Sequence, residues 1–149
     1  MNAKRILCPI DFSEHSDAAL RYASALARDA GARLYLAYVD SSHVPYDAGF
    51  AGYVPPPDEA EKLEESLRKK RPAFEELECE HHLLFGTPAD ALIEFSKAHD
   101  IDLIVMGTHG RTGVARLVMG SVAEAVVRRS ECPVLTVKHP SGVAEEAAS

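Results

Sequence analysis

Five short runs of apolar residues, each separated from the next by a longer stretch, leave few folds open to this chain. The runs fall at residues 6–10, 33–39, 79–85, 101–106 and 133–137. Most are continuous in apolarity rather than alternating, as expected of strands buried on both faces of a parallel sheet. Ala19, Ala23, Leu26 and Ala30 follow the first run at three- and four-residue spacing, flanked by Leu20 and Ala27. That is a small-residue helix, with Ser13 or Ser16 as its cap and Gly31 as its stop. The βαβαβαβαβ order predicts an α/β fold: a single open, doubly wound, parallel five-stranded sheet of Rossmann-like type, helices on both faces. A length of 149 residues suits one domain. We expect that domain over residues 1–140 and a frayed tail over 141–149.

The intervening segments carry their own signals. Asp58-Glu59-Ala60-Glu61 resembles a capping box and opens a charged helix running toward Leu77, which Pro72 should kink or split. Thr87 caps the next helix, with Pro88 in its first turn and Asp90 at the positive end of its dipole. Ser121 is expected to cap the last helix. The connection over residues 40–57, with Tyr46, Phe50 and Tyr53, is long for a compact domain and reads as a mobile segment or a flap over a ligand or partner.

Composition narrows the classes of function. Sixteen Lys and Arg against 23 Asp and Glu give a net charge of −7, which argues against a nucleic-acid partner. Cys8, Cys79 and Cys132 are odd in number and widely spaced, unlike a disulfide framework or a zinc site, and read as buried thiols. His81 and His82 are adjacent on a strand and so point to opposite faces. His81 shares a face with Cys79, but two ligands do not make a metal site. No stretch is long enough to span a bilayer, so no membrane role is expected, and the compartment expected is the cytoplasm.

In open parallel sheets ligands bind beyond the carboxyl ends of the strands. After the fourth run comes Gly107-Thr108-His109-Gly110-Arg111-Thr112-Gly113, and then Gly120-Ser121-Val122. Glycines there let the backbone approach a ligand, and a helix opening at Ser121 offers free amides and a positive dipole end to an anion. From residue 107 to 130 the chain carries Arg111, Arg116, Arg128 and Arg129 against Glu124 alone. A small anion, naturally a phosphate, is the ligand this implies. There is no Gly-Lys dipeptide, hence no P-loop, and Asp11-Phe12-Ser13 stands where a dinucleotide fold would place GxGxxG.

The spacing Gly107-x2-Gly110-x9-Gly120-Ser121, with the blocks ILCPIDFSEHSDAAL, DLIVMGTHGRTG and GSVAEAVVRRSECPVLTVK, resembles the universal stress protein family over about residues 4–138. The resemblance implies an adenine nucleotide alpha hydrolase-like fold that binds ATP, and the alternative of a hydrolase would add Mg2+ or Mn2+ beside the phosphates. It implies that Pro9, Asp11 and Val39 line the adenosine pocket, with Asp11 near the sugar and the Val39 backbone on adenine. Met106 would close the base side. Gly107, His109, Gly110, Arg111, Thr112, Gly113, Gly120, Ser121 and Val122 would wrap the phosphates. It also implies a homodimer through the last strand, and Pro133-Val134-Leu135-Thr136-Val137 is indeed an apolar edge that pairing would protect.

Single residues admit plainer roles. Asp11 can serve the turn before the first helix as well as a ligand, and His109 can contribute backbone rather than acid–base chemistry. The reading reached is a nucleotide-dependent regulatory or stress-response module. A slow metal-dependent ATP hydrolase and a dimeric module for another adenine nucleotide are its alternatives.

Overall fold

The computed structural model describes residues 3–41, 56–108 and 119–138. Five strands, β1 (Arg5–Pro9), β2 (Arg33–Asp40), β3 (Cys79–Phe85), β4 (Leu103–Gly107) and β5 (Val134–Val137), alternate with four helices. These are α1 (Glu14–Ala30), α2 (Pro57–Arg68), α3 (Pro88–Ala98) and α4 (Ser121–Arg129). The strands form one sheet in the order β3-β2-β1-β4-β5, and every pairing is parallel. The expected doubly wound α/β sheet is thus the observed one.

Burial explains why the apolar runs are continuous. On β1, Ile6 and Cys8 face a core shared with α1 and Leu67 of α2, while Leu7 faces the opposite core with α3 and α4. These three side chains of β1 are fully inaccessible. On β4, Leu103 and Val105 face the first core, and Ile104 and Met106 the second. The central strands therefore have no wet face on which a polar residue could alternate.

The small residues of α1 have a packing reason. Ala18, Ala19, Ala23 and Ala27 are buried against the sheet, so the helix backbone lies close to the strands. Its ends are fixed as the sequence suggests. The Ser13 hydroxyl caps it, accepting the Ser16 N–H at 3.1 Å, and Gly31 closes it in the left-handed conformation at φ +67°.

Three expectations about helix ends are corrected. α2 begins at Pro57 with Pro56 in the cap position and no side-chain cap bond, so Asp58 and Glu59 lie in the first turn rather than before it. It stops at Arg68 and never reaches Pro72, whose missing N–H could not have served the Arg68 carbonyl. The stretch beyond is instead tied to its neighbours. The buried Ser24 hydroxyl donates to Leu20 O at 2.7 Å and accepts the Ala73 N–H at 3.0 Å. Lys70 Nζ lies 2.9 Å from Asp17 Oδ1, and the Arg28 guanidinium lies 3.9 Å over the Phe74 ring. Thr87 does occupy the cap position of α3, as expected, though without a side-chain bond. On α4 the cap is Gly120, not Ser121, which is the first helical residue.

The first and fourth strands are also fastened at their starts. Asp102 Oδ2 accepts the backbone N–H groups of Lys4 at 2.8 Å and Arg5 at 3.0 Å, across 98 and 97 positions of sequence. No described helix is long and apolar enough to cross a membrane.

Candidate functional site

The sheet order changes direction between β1 and β4, because β2 and β3 continue on one side and β5 on the other. A cavity of about 420 Å³ opens at the carboxyl ends of β1, β2 and β4, beside the first turns of α3 and α4. That volume lies in the range of small-molecule sites. Its lining brings together Pro9, Asp11, Val39, Met106, Gly107, Gly120, Ser121 and Val122. His109, Gly110, Arg111, Thr112 and Gly113 lie outside the described residues, as do Arg116 and the aromatic residues of the 40–57 connection.

One wall is apolar, built by Ala37 and Val39 of β2, Pro88 and Leu92 of α3, and Met106 of β4. Opposite in character is the start of α4. Ser121, Val122 and Ala123 line the cavity, and residues in a helix's first turn have no carbonyl behind them within the helix to accept their N–H groups. The Gly120 N–H is engaged by Thr108 O at 2.7 Å, which fixes the first turn of α4 against the end of β4.

Asp11 sits where β1 turns into α1. Its Oδ1 accepts both the N–H of Ser13, at 2.9 Å, and the Ser13 hydroxyl. Its own N–H donates to the Ser16 hydroxyl at 3.3 Å, and that hydroxyl donates to Ser13 O at 3.1 Å. One carboxylate oxygen thus organises the helix cap while the residue lines the cavity. Phe12, between them, has φ +65°, a left-handed conformation that costs a side-chain-bearing residue about 1–2 kcal/mol.

Gly107 has a stronger reason to be glycine than ligand approach. A Cβ built on it would stand 2.9 Å from both Cβ and O of His15 and 3.0 Å from its carbonyl carbon. The first turn of α1 rests directly on the end of β4, so the residue is excluded by a helix backbone.

Residues 2–138 match the Universal stress protein family. The chain belongs to that family. Universal stress protein MJ0531 of Methanocaldococcus jannaschii is 38% identical over 149 residues, covering 92% of this chain and 83% of the relative. A universal stress protein solved in complex with cAMP superposes with a TM-score of 0.67 at 26% identity, over 93% of this chain and 99% of that one. The universal stress protein of Archaeoglobus fulgidus, solved in complex with dAMP, gives 0.63 at 26% identity over 93% and 100%.

Two of the four arginines counted between residues 107 and 130 pair within α4 or with α3. Arg128 is paired with Glu124 at 2.9 Å and Arg129 with Asp90 at 2.7 Å, both from the last turn of α4. Neither is among the residues that line the cavity, and Asp90 serves that ion pair at the start of α3. The local excess of arginine in this universal stress protein is thus partly spent on holding α4 to itself and to α3.

The histidine pair has structural roles. His81 Nε2 lies 2.7 Å from Lys70 O, and His82 Nε2 lies 3.0 Å from Glu80 Oε1 with its ring edge-on to Phe95. Desolvation pushes the Glu80 carboxyl up, but hydrogen bonds from His82 and Arg33 outweigh it and hold the group below its ordinary value. Among the described residues no three His, Cys, Asp or Glu side chains gather in a group able to hold a metal ion.

All three cysteines are free, but only Cys8 is fully buried, whereas Cys79 and Cys132 are half-buried. Burial drives the Cys8 thiol far above its ordinary value, and pushes Cys79 up to about 11 against the pull of Arg71. Two units above the ordinary 9.0 cut the thiolate fraction about a hundredfold. Because a thiolate of higher pKa is also the stronger nucleophile, iodoacetamide at pH 8 should modify Cys79 at least about ten times more slowly than an unstructured cysteine peptide. Peptide mapping against time checks this, and labelling at the peptide's rate would contradict it.

Sequence reasoning missed Ile10, Ser16, Ala37, Tyr38, Ser41, Pro88, Leu92, Thr108 and Ala123, which also line the cavity. Several were within reach, since Ile10, Ser41 and Thr108 directly follow β1, β2 and β4, where open sheets hold ligands. Pro88 and Leu92 carried no such signal.

Proposed function

We propose that this chain binds an adenine nucleotide, ATP foremost, in the cavity at the ends of β1, β2 and β4, and that occupancy sets its conformation or choice of partner. The observation that carries the reading is the convergence of Pro9, Asp11, Val39, Met106, Gly107, Gly120, Ser121 and Val122 on one cavity of about 420 Å³. An apolar wall suits a base, a carboxylate beside it suits sugar hydroxyls, and the first turn of a helix suits phosphate. The cAMP and dAMP complexes of related proteins agree with an adenylate ligand.

In this arrangement the Val39 backbone takes the adenine edge, Met106 covers the base and Asp11 faces the sugar. The phosphates lie against residues 107–113 and Gly120, Ser121 and Val122. Asp11 is the one carboxylate among the described lining residues, and a Mg2+ or Mn2+ ion beside it would take most of its oxygens from phosphate and water. The edge position of β5, with Leu135 39% and Val127 44% exposed, supports an isologous homodimer through that strand. Three free thiols suit a reducing cytoplasm.

The test is denaturing release and mass identification of whatever co-purifies, followed by titration calorimetry. Intact ATP, bound stoichiometrically, is the expected result. ADP or AMP alone would favour the hydrolase reading, another adenylate such as cAMP the module for another adenine nucleotide, and failure to bind any adenine nucleotide would overturn the assignment. Sedimentation at micromolar concentration reads the dimer, and a monomer there would overturn that part.

A further inference from the structure

Asp11 reaches the cavity through a turn whose next residue is poorly suited to it. Phe12 adopts φ +65°, where glycine and asparagine are at ease and an aromatic residue is not. Persistent backbone strain beside a candidate site needs a compensating contact. Here the contact is visible. The Phe12 ring lies 4.9 Å from the Tyr38 ring at an interplanar angle of 44°, and both pack against the core on the α1 face of the sheet.

Phe12 itself is not among the lining residues, yet the residue before it, Asp11, and its ring partner, Tyr38, both are. The ring thus fastens the β1–α1 turn to the end of β2 at the cavity's edge. The hydrogen bonds linking Asp11, Ser13 and Ser16 close the turn from the other side.

Resting on the nucleotide reading above, we infer that Phe12 is a positioning residue whose ring, lodged on Tyr38, holds the left-handed turn that keeps Asp11 at the ligand. Glycine at this position would permit the same φ without enforcing it. The turn would then spend most of its time in other conformations, and apparent affinity falls in proportion to the fraction that remains competent. A drop to one-tenth weakens binding about tenfold.

The experiment is a double-substitution cycle read by calorimetry with ATP, on the parent chain, Phe12→Gly, Asp11→Asn and the pair. Asparagine keeps an acceptor for Ser13 but removes the charge. Each single change should weaken ATP binding about tenfold, and the pair should be little worse than either, because Asp11 is already misplaced when Phe12 is gone. Phe12→Tyr, which preserves the ring, should bind as the parent does. If Phe12 acts on binding independently of Asp11, the two losses multiply to about a hundredfold, which overturns the inference. Parent-like affinity in Phe12→Gly overturns it as well. Should Phe12→Gly fail to fold, Phe12→Asn, also tolerant of positive φ, carries the same cycle. A parent chain that binds no ATP is a separate result, visible before any substitution, and removes the nucleotide reading together with this one.

Discussion

Gly107→Val is expected to lower the melting temperature by about 10 °C, corresponding to about 3 kcal/mol at a few degrees per kcal/mol for a domain of this size. The reason is the contact of β4 with α1. Even the first carbon of a side chain would stand 2.9 Å from the carbonyl oxygen of His15. Backbone atoms of a helix cannot step aside singly, so the whole first turn of α1 must shift, and Ser16 in that turn lines the cavity. The substitution should therefore weaken nucleotide binding as well as stability. Differential scanning calorimetry checks the first effect, and a melting temperature within about 2 °C of the parent would show that α1 does not rest on β4 as described.

Gly120→Val should act in the opposite proportion, with ATP affinity reduced at least about a hundredfold, or about 2.7 kcal/mol, and the fold retained. Gly120 has φ −61° and ψ 153°, an ordinary extended conformation that any residue can take. Its glycine is thus not required by the backbone. What valine changes is the space where the helix start lines the cavity, together with a cap preference worth about 1 kcal/mol. Calorimetric titration beside a thermal melt separates the two effects. Parent-like affinity would remove the phosphate from this end of the cavity.

The contrast between these glycines shows what the chain reveals before its fold is known. Both stand in the spacing that marks a phosphate loop, and both do line the cavity. The reason for Gly107 was illegible, because it depends on which helix crosses the end of β4, and α1 precedes that strand by most of the chain. The sheet was far more legible: strands enclosed by helices on both sides must be apolar throughout, and Ile6, Leu7 and Cys8 announce this directly. The ends of α1 were readable too, since Ser13 and Gly31 act through bonds to their immediate neighbours.

The errors came where one residue type had two equivalent places. Pro57 at the first helical position of α2 was itself a start signal, overshadowed by the acidic run behind it. Gly120 and Ser121 are both acceptable caps, and geometry chose the first. Arg129 looked available to an anion because its partner, Asp90, belongs to another helix. In the same way nothing in Pro88 or Leu92 discloses that α3 overhangs the cavity.

The fastening of Lys4 and Arg5 to Asp102, 98 and 97 positions away, has a consequence for biosynthesis. A ribosome delivers β1 and the Asp11 turn early, but β4 and the start of α4 only when most of the polypeptide has emerged. A nascent or prematurely terminated product owns one jaw of the cleft and has nothing to close it against. Retention of a bound small molecule would then certify that translation ran past residue 123.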